Sequence, residues 1–220
     1  MRVLFVCLLF AILPCSGKDH QLTAPMVLYT GFQAAPSAPV MLSVQNELDE
    51  IMSPVGIRFE WRSLSAPHNG DLVVKLAVIH FKGHCDVSGL TLSSQTPGVL
   101  GLTHVTEGVI LSFSDIDCDH ILSFIQPELL SERADDRDRM FGRAIARVLA
   151  HELYHIMANT AKHGSSGIAK SRFLASELVA SDFHFDKRDC IVLRKSTVIS
   201  NLENVVNASI GSPPADLSNR

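Results

Sequence analysis

The sequence has no surplus of positive charge. Its 19 lysines and arginines are outnumbered by 23 acidic residues, a formal net charge of −4 in 220 residues. No basic field is there to gather nucleic acid or anionic lipid, so nucleic-acid binding is not expected. A second long apolar run is also missing. Beyond the first few residues nothing approaches the roughly 20 apolar residues of a membrane-spanning helix, so stable membrane insertion is not expected. Internal repeats are absent, and cysteine is sparse, with five residues in all. What remains is 46% hydrophobic and 19% charged, the composition of a folded globular chain, long enough for one domain with a proper core.

The first residues read as an export signal. Arg2 is followed by an apolar run from Val3 to Leu13, then Pro14 and the small, cleavable-looking Cys15-Ser16-Gly17. Residues 1–17 therefore read as a secretory signal peptide, which predicts a secreted or periplasmic protein. Pro14 fits a lipidation site poorly, so anchoring through Cys15 is the lesser reading. Without the signal, Cys85, Cys118 and Cys190 remain. Three thiols in an oxidising compartment predict one disulfide and one cysteine left over.

Hydrophobic periodicity then divides residues 24–195, the expected domain, into elements. Residues 26–32 read as a buried strand and 40–52 as an amphipathic helix that stops near Ser53-Pro54. Residues 57–62 alternate strictly and read as a half-exposed strand, and 68–71 carry turn chemistry. Residues 72–81 are a β-branched central strand. A Gly/Ser-rich loop over 83–98 leads to two short strands, 99–105 and 109–114, joined by a tight reversal at Thr106-Glu107-Gly108. Residues 115–120 read as loop and 127–133 as a short helix. A long helix follows, with Asp135, Asp136 and Asp138 at its positive end and Met140, Phe141, Ala144, Ile145, Val148 and Leu149 on its buried stripe. It should stop at Asn159, a residue that tolerates the left-handed turn. Residues 175–185 read as a further helix, Asp186 and Asp189 as the cap of a last one through 195, and 196–220 as a flexible tail. The order is mixed α/β, with a central sheet and helices packed under it.

On the long helix lies His151-Glu152-Leu153-Tyr154-His155. Histidines four apart on a helix share a face, so one zinc ion can take both, with the glutamate between them free to work on a bound water. The pattern arises by chance in roughly 2% of chains of this composition, so its surroundings must decide. Zinc needs a third protein ligand. Three residues compete: His163, brought back by a reversal at Asn159; Glu177 on the next helix, with Asp182 behind it; and His184. His163 is the expected ligand.

The stretch resembles the metzincin metallopeptidases, whose signature is H-E-x-x-H-x-x-G-x-x-H followed by a methionine turn. The resemblance covers roughly residues 26–173 and is strongest to a bacterial group of secreted metzincin-like proteins. Asn159 stands at the glycine, His163 two residues beyond the standard third histidine, Ala169 at the methionine, and Tyr154 where that group has glycine. The resemblance implies a mostly parallel twisted sheet with an antiparallel edge strand, packed on two long helices, with a small C-terminal helical part. It implies Zn2+ held by His151, His155 and His163, and Glu152 as general base in hydrolysis of a peptide or protein substrate. Residues 99–105 would be the edge strand that pairs with substrate, and a monomer is expected. If the strands ending near Phe81 and Ser114 are parallel neighbours, Cys85 and Cys118 could be bridged, leaving Cys190 as a free thiol. The alternatives are a catalytically silent exported binding protein of the same fold, or a structural zinc site closed by a fourth ligand.

Overall fold

The computed structural model describes residues 25–66, 73, 75–88, 90 and 98–196. The expected signal peptide, turn at 68–71 and tail beyond 196 lie outside them.

Five strands form one sheet: β1 (Met26–Phe32), β2 (Phe59–Ser63), β3 (Leu76–Lys82), β4 (Gly101–Thr106) and β5 (Val109–Asp117), in the order β2-β1-β3-β5-β4. Every pairing is parallel except β4 with β5, so the sheet is mostly parallel with an antiparallel edge, as expected. Period-two alternation sends Leu28, Ala77, Ile79, Phe81, Ser114 and Ile116 to one buried face. The reversal between β4 and β5 is the two-residue turn Glu107-Gly108, both with positive φ (51° and 81°), a backbone whose twist suits a hairpin.

The two long helices are α1 (Ala38–Met52) and α3 (Ala134–Met157), and they pack against each other. Val40, Val44, Leu48 and Ile51 form the buried stripe of α1. The contact is close at Gly142, where a Cβ would stand 2.6 Å from the Val40 carbonyl. A buried ion pair crosses the same interface, Arg147 Nε to Glu47 Oε1 at 2.8 Å. With α3 also against β4 and β5, the C-terminal end of this helix reaches the edge of the sheet.

Four expectations are corrected. Residues 115–120 are not a loop, since β5 runs through Asp117 and α2 (Cys118–Leu129) begins at once. The Asp117 side chain caps α2 by accepting from His120 N at 2.9 Å. Cys118, Ile121, Ile125 and Leu129 are its buried face, and Pro127, expected to begin a helix, sits near its end. The helix over 175–185 shortens to α4 (Ala175–Val179), because the backbone of 184–185 pairs with Gly167 and Ile168. Cys190 is buried and disulfide-bonded, not a free thiol.

Cys85 and Cys118 are bridged. They follow β3 and β5, parallel neighbours in register from Val78↔Phe113 to Lys82↔Asp117, so the topology brings them together. The final helical segment, 187–196, is capped by Asp186, whose Oδ1 accepts from the backbone of Arg188 and Asp189. Among the described residues no helix is long and apolar enough to cross a membrane.

Candidate metal centre

The end of α3 is built by its own stop signal. Asn159 has φ 45°, and Asn159 N and Thr160 N donate back to Ile156 O (3.3 Å) and His155 O (3.1 Å). This pair of bonds is the Schellman closure of a helix. The turn exposes the Thr160 carbonyl, and His155 Nδ1 donates to it at 2.7 Å. The segment that stops the helix thus also orients one of its histidines.

The other helix histidine is held from the far side of the returning chain. His151 Nδ1 donates to Ile168 O at 2.7 Å, and Ile168 N donates to His184 O at 3.1 Å. His184 therefore serves through its backbone; its ring pairs with Asp182, Nε2 to Oδ1, at 3.0 Å. Glu177 is likewise engaged elsewhere, pairing with Lys170 and accepting from Leu174 N at the start of α4. Neither reaches the histidines. His163 does: its ring stacks on His151 (centroids 5.2 Å apart) and lies edge-on to His155 (4.9 Å).

One nitrogen each from His151, His155 and His163 lies within 4.8 Å of the other two. Among the described residues the group that could hold a metal ion consists of these three. Because a carbonyl can only accept, both Nδ1 atoms carry hydrogen, and both Nε2 atoms of the neutral rings present lone pairs. Those atoms face each other at 3.1 Å, close to the roughly 3.3 Å expected between two nitrogens bound to one tetrahedral zinc at 2.0–2.1 Å. Carbonyl partners on the outer nitrogens are the usual way ligating histidines are fixed. The donor set suits zinc.

Burial pushes His151 down to about 4, with His155 and His163 acting in the same direction and the Ile168 bond against them. His163 is lowered too, by partial loss of water around its ring where it meets the other two and then by His155. Both favour the neutral, ligating form near neutral pH. Glu152, 5% exposed, has its pKa raised from the ordinary value by burial, opposed by hydrogen bonds to Thr103.

A cleft of about 390 Å³ opens beside these residues, between β4 and the end of α3, with Val99, Leu102, Val105, Ile110 and Phe173 among its walls. A larger hollow of about 510 Å³ between α1 and the start of α3 shares no residue with it and holds no histidine.

The residue that sequence reasoning overlooked here is Thr103, whose hydroxyl meets Glu152. Phe173, with its ring edge-on to His151 at 5.4 Å, was also missed. The two departures from the motif have packing accounts. Tyr154 is buried and donates to Asp189 Oδ1 at 3.3 Å. Ala169 is fully buried against Gly164, where a glycine Cβ would stand 3.1 Å from its own Cβ, and its carbonyl accepts Gly164 N at 2.8 Å.

Among solved structures, the chain is similar to the crystal structure of an archaemetzincin from Methanopyrus kandleri. The TM-score is 0.46 and the identity 9%, over 78% of this chain and 95% of that one. No family profile matches the sequence, and no curated protein sequence does.

Proposed function

We propose that this chain is a secreted zinc-dependent endopeptidase, with His151, His155 and His163 as metal ligands and Glu152 as general base. The facing Nε2 atoms of His151 and His155, each with its other nitrogen committed to a carbonyl, carry the reading. Zinc bound at the three imidazoles would supply Lewis acidity, polarising a peptide carbonyl and making water a better nucleophile. Glu152 projects from the same turn of helix as its two flanking histidines. As general base it would take a proton from the attacking water and return it to the leaving amine.

Among the described residues the metal-holding group is three histidines with no fourth ligand, which leaves a position for water, as a catalytic site requires. The engagement of Glu177 and His184 elsewhere argues against a closed structural site. β4, the antiparallel edge of the sheet, is the strand with which an extended peptide substrate would pair. The Cys85–Cys118 bridge suits the oxidising destination that the signal peptide implies.

The test is metal analysis of the mature protein, followed by incubation with a diverse peptide library. One zinc per chain and cleavage are expected. Glu152→Gln should keep the zinc and lose activity by about 10²- to 10⁴-fold. Stoichiometric zinc with no cleavage would favour the silent binding protein instead.

A further inference from the structure

Edge strand β4 approaches Glu152 through two residues, Gly101 and Thr103. A Cβ on Gly101 would stand 2.7 Å from Glu152 Oε1 and 2.8 Å from a Val148 methyl, so the glutamate occupies space that a side chain would fill. Thr103 Oγ1 lies 2.7 Å from Glu152 Oε2, 3.1 Å from Glu152 O and 2.9 Å from Ser114 Oγ. A hydroxyl has one proton to give and two lone pairs to receive. An ionised carboxylate can only accept, so the Thr103 proton points at Glu152 and Ser114 donates to Thr103. The result is a line of hydrogen bonds from β5 through β4 to α3. All three residues are buried: Ser114 is 0% exposed, Glu152 5% and Thr103 8%. A charge-assisted bond is strong in such surroundings.

We propose that Thr103, supported by Ser114, is a positioning residue for Glu152: its hydroxyl holds Oε2 and so fixes the orientation of the carboxylate. The inference rests on the reading of Glu152 as general base. The last torsion of a glutamate is broad and nearly two-fold, so an untethered carboxylate exchanges its oxygens and loses aim. Threonine suits the task because its β-branch restricts χ1. A purely structural tie between edge strand and helix would predict something else: loss of stability without a selective loss of turnover.

The variants are Thr103→Val, which keeps the shape and removes the donor, and Thr103→Ser, which keeps the donor. Thr103→Val should retain one zinc per chain and a KM within about twofold, and lose about ten- to hundredfold in kcat, part of what a positioned base contributes. Thr103→Ser should recover most of that loss. A second readout needs no turnover. In metal-free protein at pH 8, infrared difference spectra against Glu152→Gln should show the Glu152 carboxylate bands displaced by valine and restored by serine. Unchanged kcat in Thr103→Val, or equal losses in both variants, overturns the positioning role while leaving the peptidase reading intact. A wild-type protein with full zinc and no turnover refutes that reading, and the positioning role with it, whatever the infrared bands do. If valine prevents folding, Ser114→Ala decides: a fall in kcat of about threefold supports the hydrogen-bonded line, and no change overturns it.

Discussion

His151 and His155 face each other through their Nε2 atoms at 3.1 Å, and each ring has already given its Nδ1 hydrogen to a backbone carbonyl 2.7 Å away. Two lone pairs at that distance repel unless a cation lies between them. The fold holds the pair in place from both sides, through Thr160 after the helix stop and Ile168 on the returning chain.

Metal removal should therefore be felt in stability. With zinc at about a thousand times its Kd, binding adds about 4 kcal/mol, so chelation should lower the thermal midpoint by roughly 10 °C in a chain of this size. His163 is exposed, so His163→Ala should leave the metal-free protein's midpoint nearly unchanged. It should weaken zinc by more than the 10- to 100-fold typical of losing an outer partner. Calorimetry and zinc titration would check both, and an unaltered zinc affinity in His163→Ala would remove this residue from the ligand set.

Acid should destabilise the metal-free protein. His151, 7% exposed, is lowered by burial to about 4, so below its ordinary value near 6.5 the unfolded chain takes up the proton first. Its contribution is complete above pH 6.5 and is lost as pH falls toward 4, at most about 3 kcal/mol. Urea midpoints of the metal-free wild type and His151→Gln, each at pH 4.5 and 7.5, should show a steeper fall in the wild type. Parallel falls would contradict the assignment.

Asp189 should act in the opposite direction. Burial first, and then the neighbouring Asp186 carboxylate, raise it to about 6. A raised acid stabilises fully below its ordinary value of 3.8, and that contribution is lost as pH rises through about 6. Asp189→Asn keeps an acceptor for Tyr154 and carries no charge, so it should stabilise the protein by about 1–2 kcal/mol at pH 8 and by nearly nothing at pH 4. Denaturant unfolding at the two pH values measures the difference.

The Cys85–Cys118 bridge closes a loop of 33 residues in separation, which corresponds to about 3–4 kcal/mol in the chain-entropy account. Replacing both cysteines by serine should lower stability by up to that amount without altering zinc stoichiometry, since the bridge joins the ends of β3 and the start of α2. Thermal unfolding with metal analysis on the same sample would show whether the two properties separate.

Local chemistry made the helix carrying His151 and His155 legible in the sequence. Its buried stripe, the acidic residues in its first turn and the left-handed stop at Asn159 all act within a few residues of one another. The same holds for the Glu107-Gly108 turn and the Asp186 cap. Helix α2 was not legible, because Pro127 is a strong local start signal. It was overruled by the burial of Cys118, Ile121, Ile125 and Leu129, which depends on what lies across from them.

The sequence by itself determined which side chains could meet a metal on one helix face, because four-residue spacing is fixed by the helix. It also narrowed the third ligand to a few residues. Only the tertiary structure decided among them: the reversal at Asn159 brought His163 to the pair, while Glu177 and His184 were drawn into contacts of their own. Only it could place Thr103 against Glu152, 49 residues away along the chain. Strand register across a sheet edge sets that contact, and no local pattern encodes it.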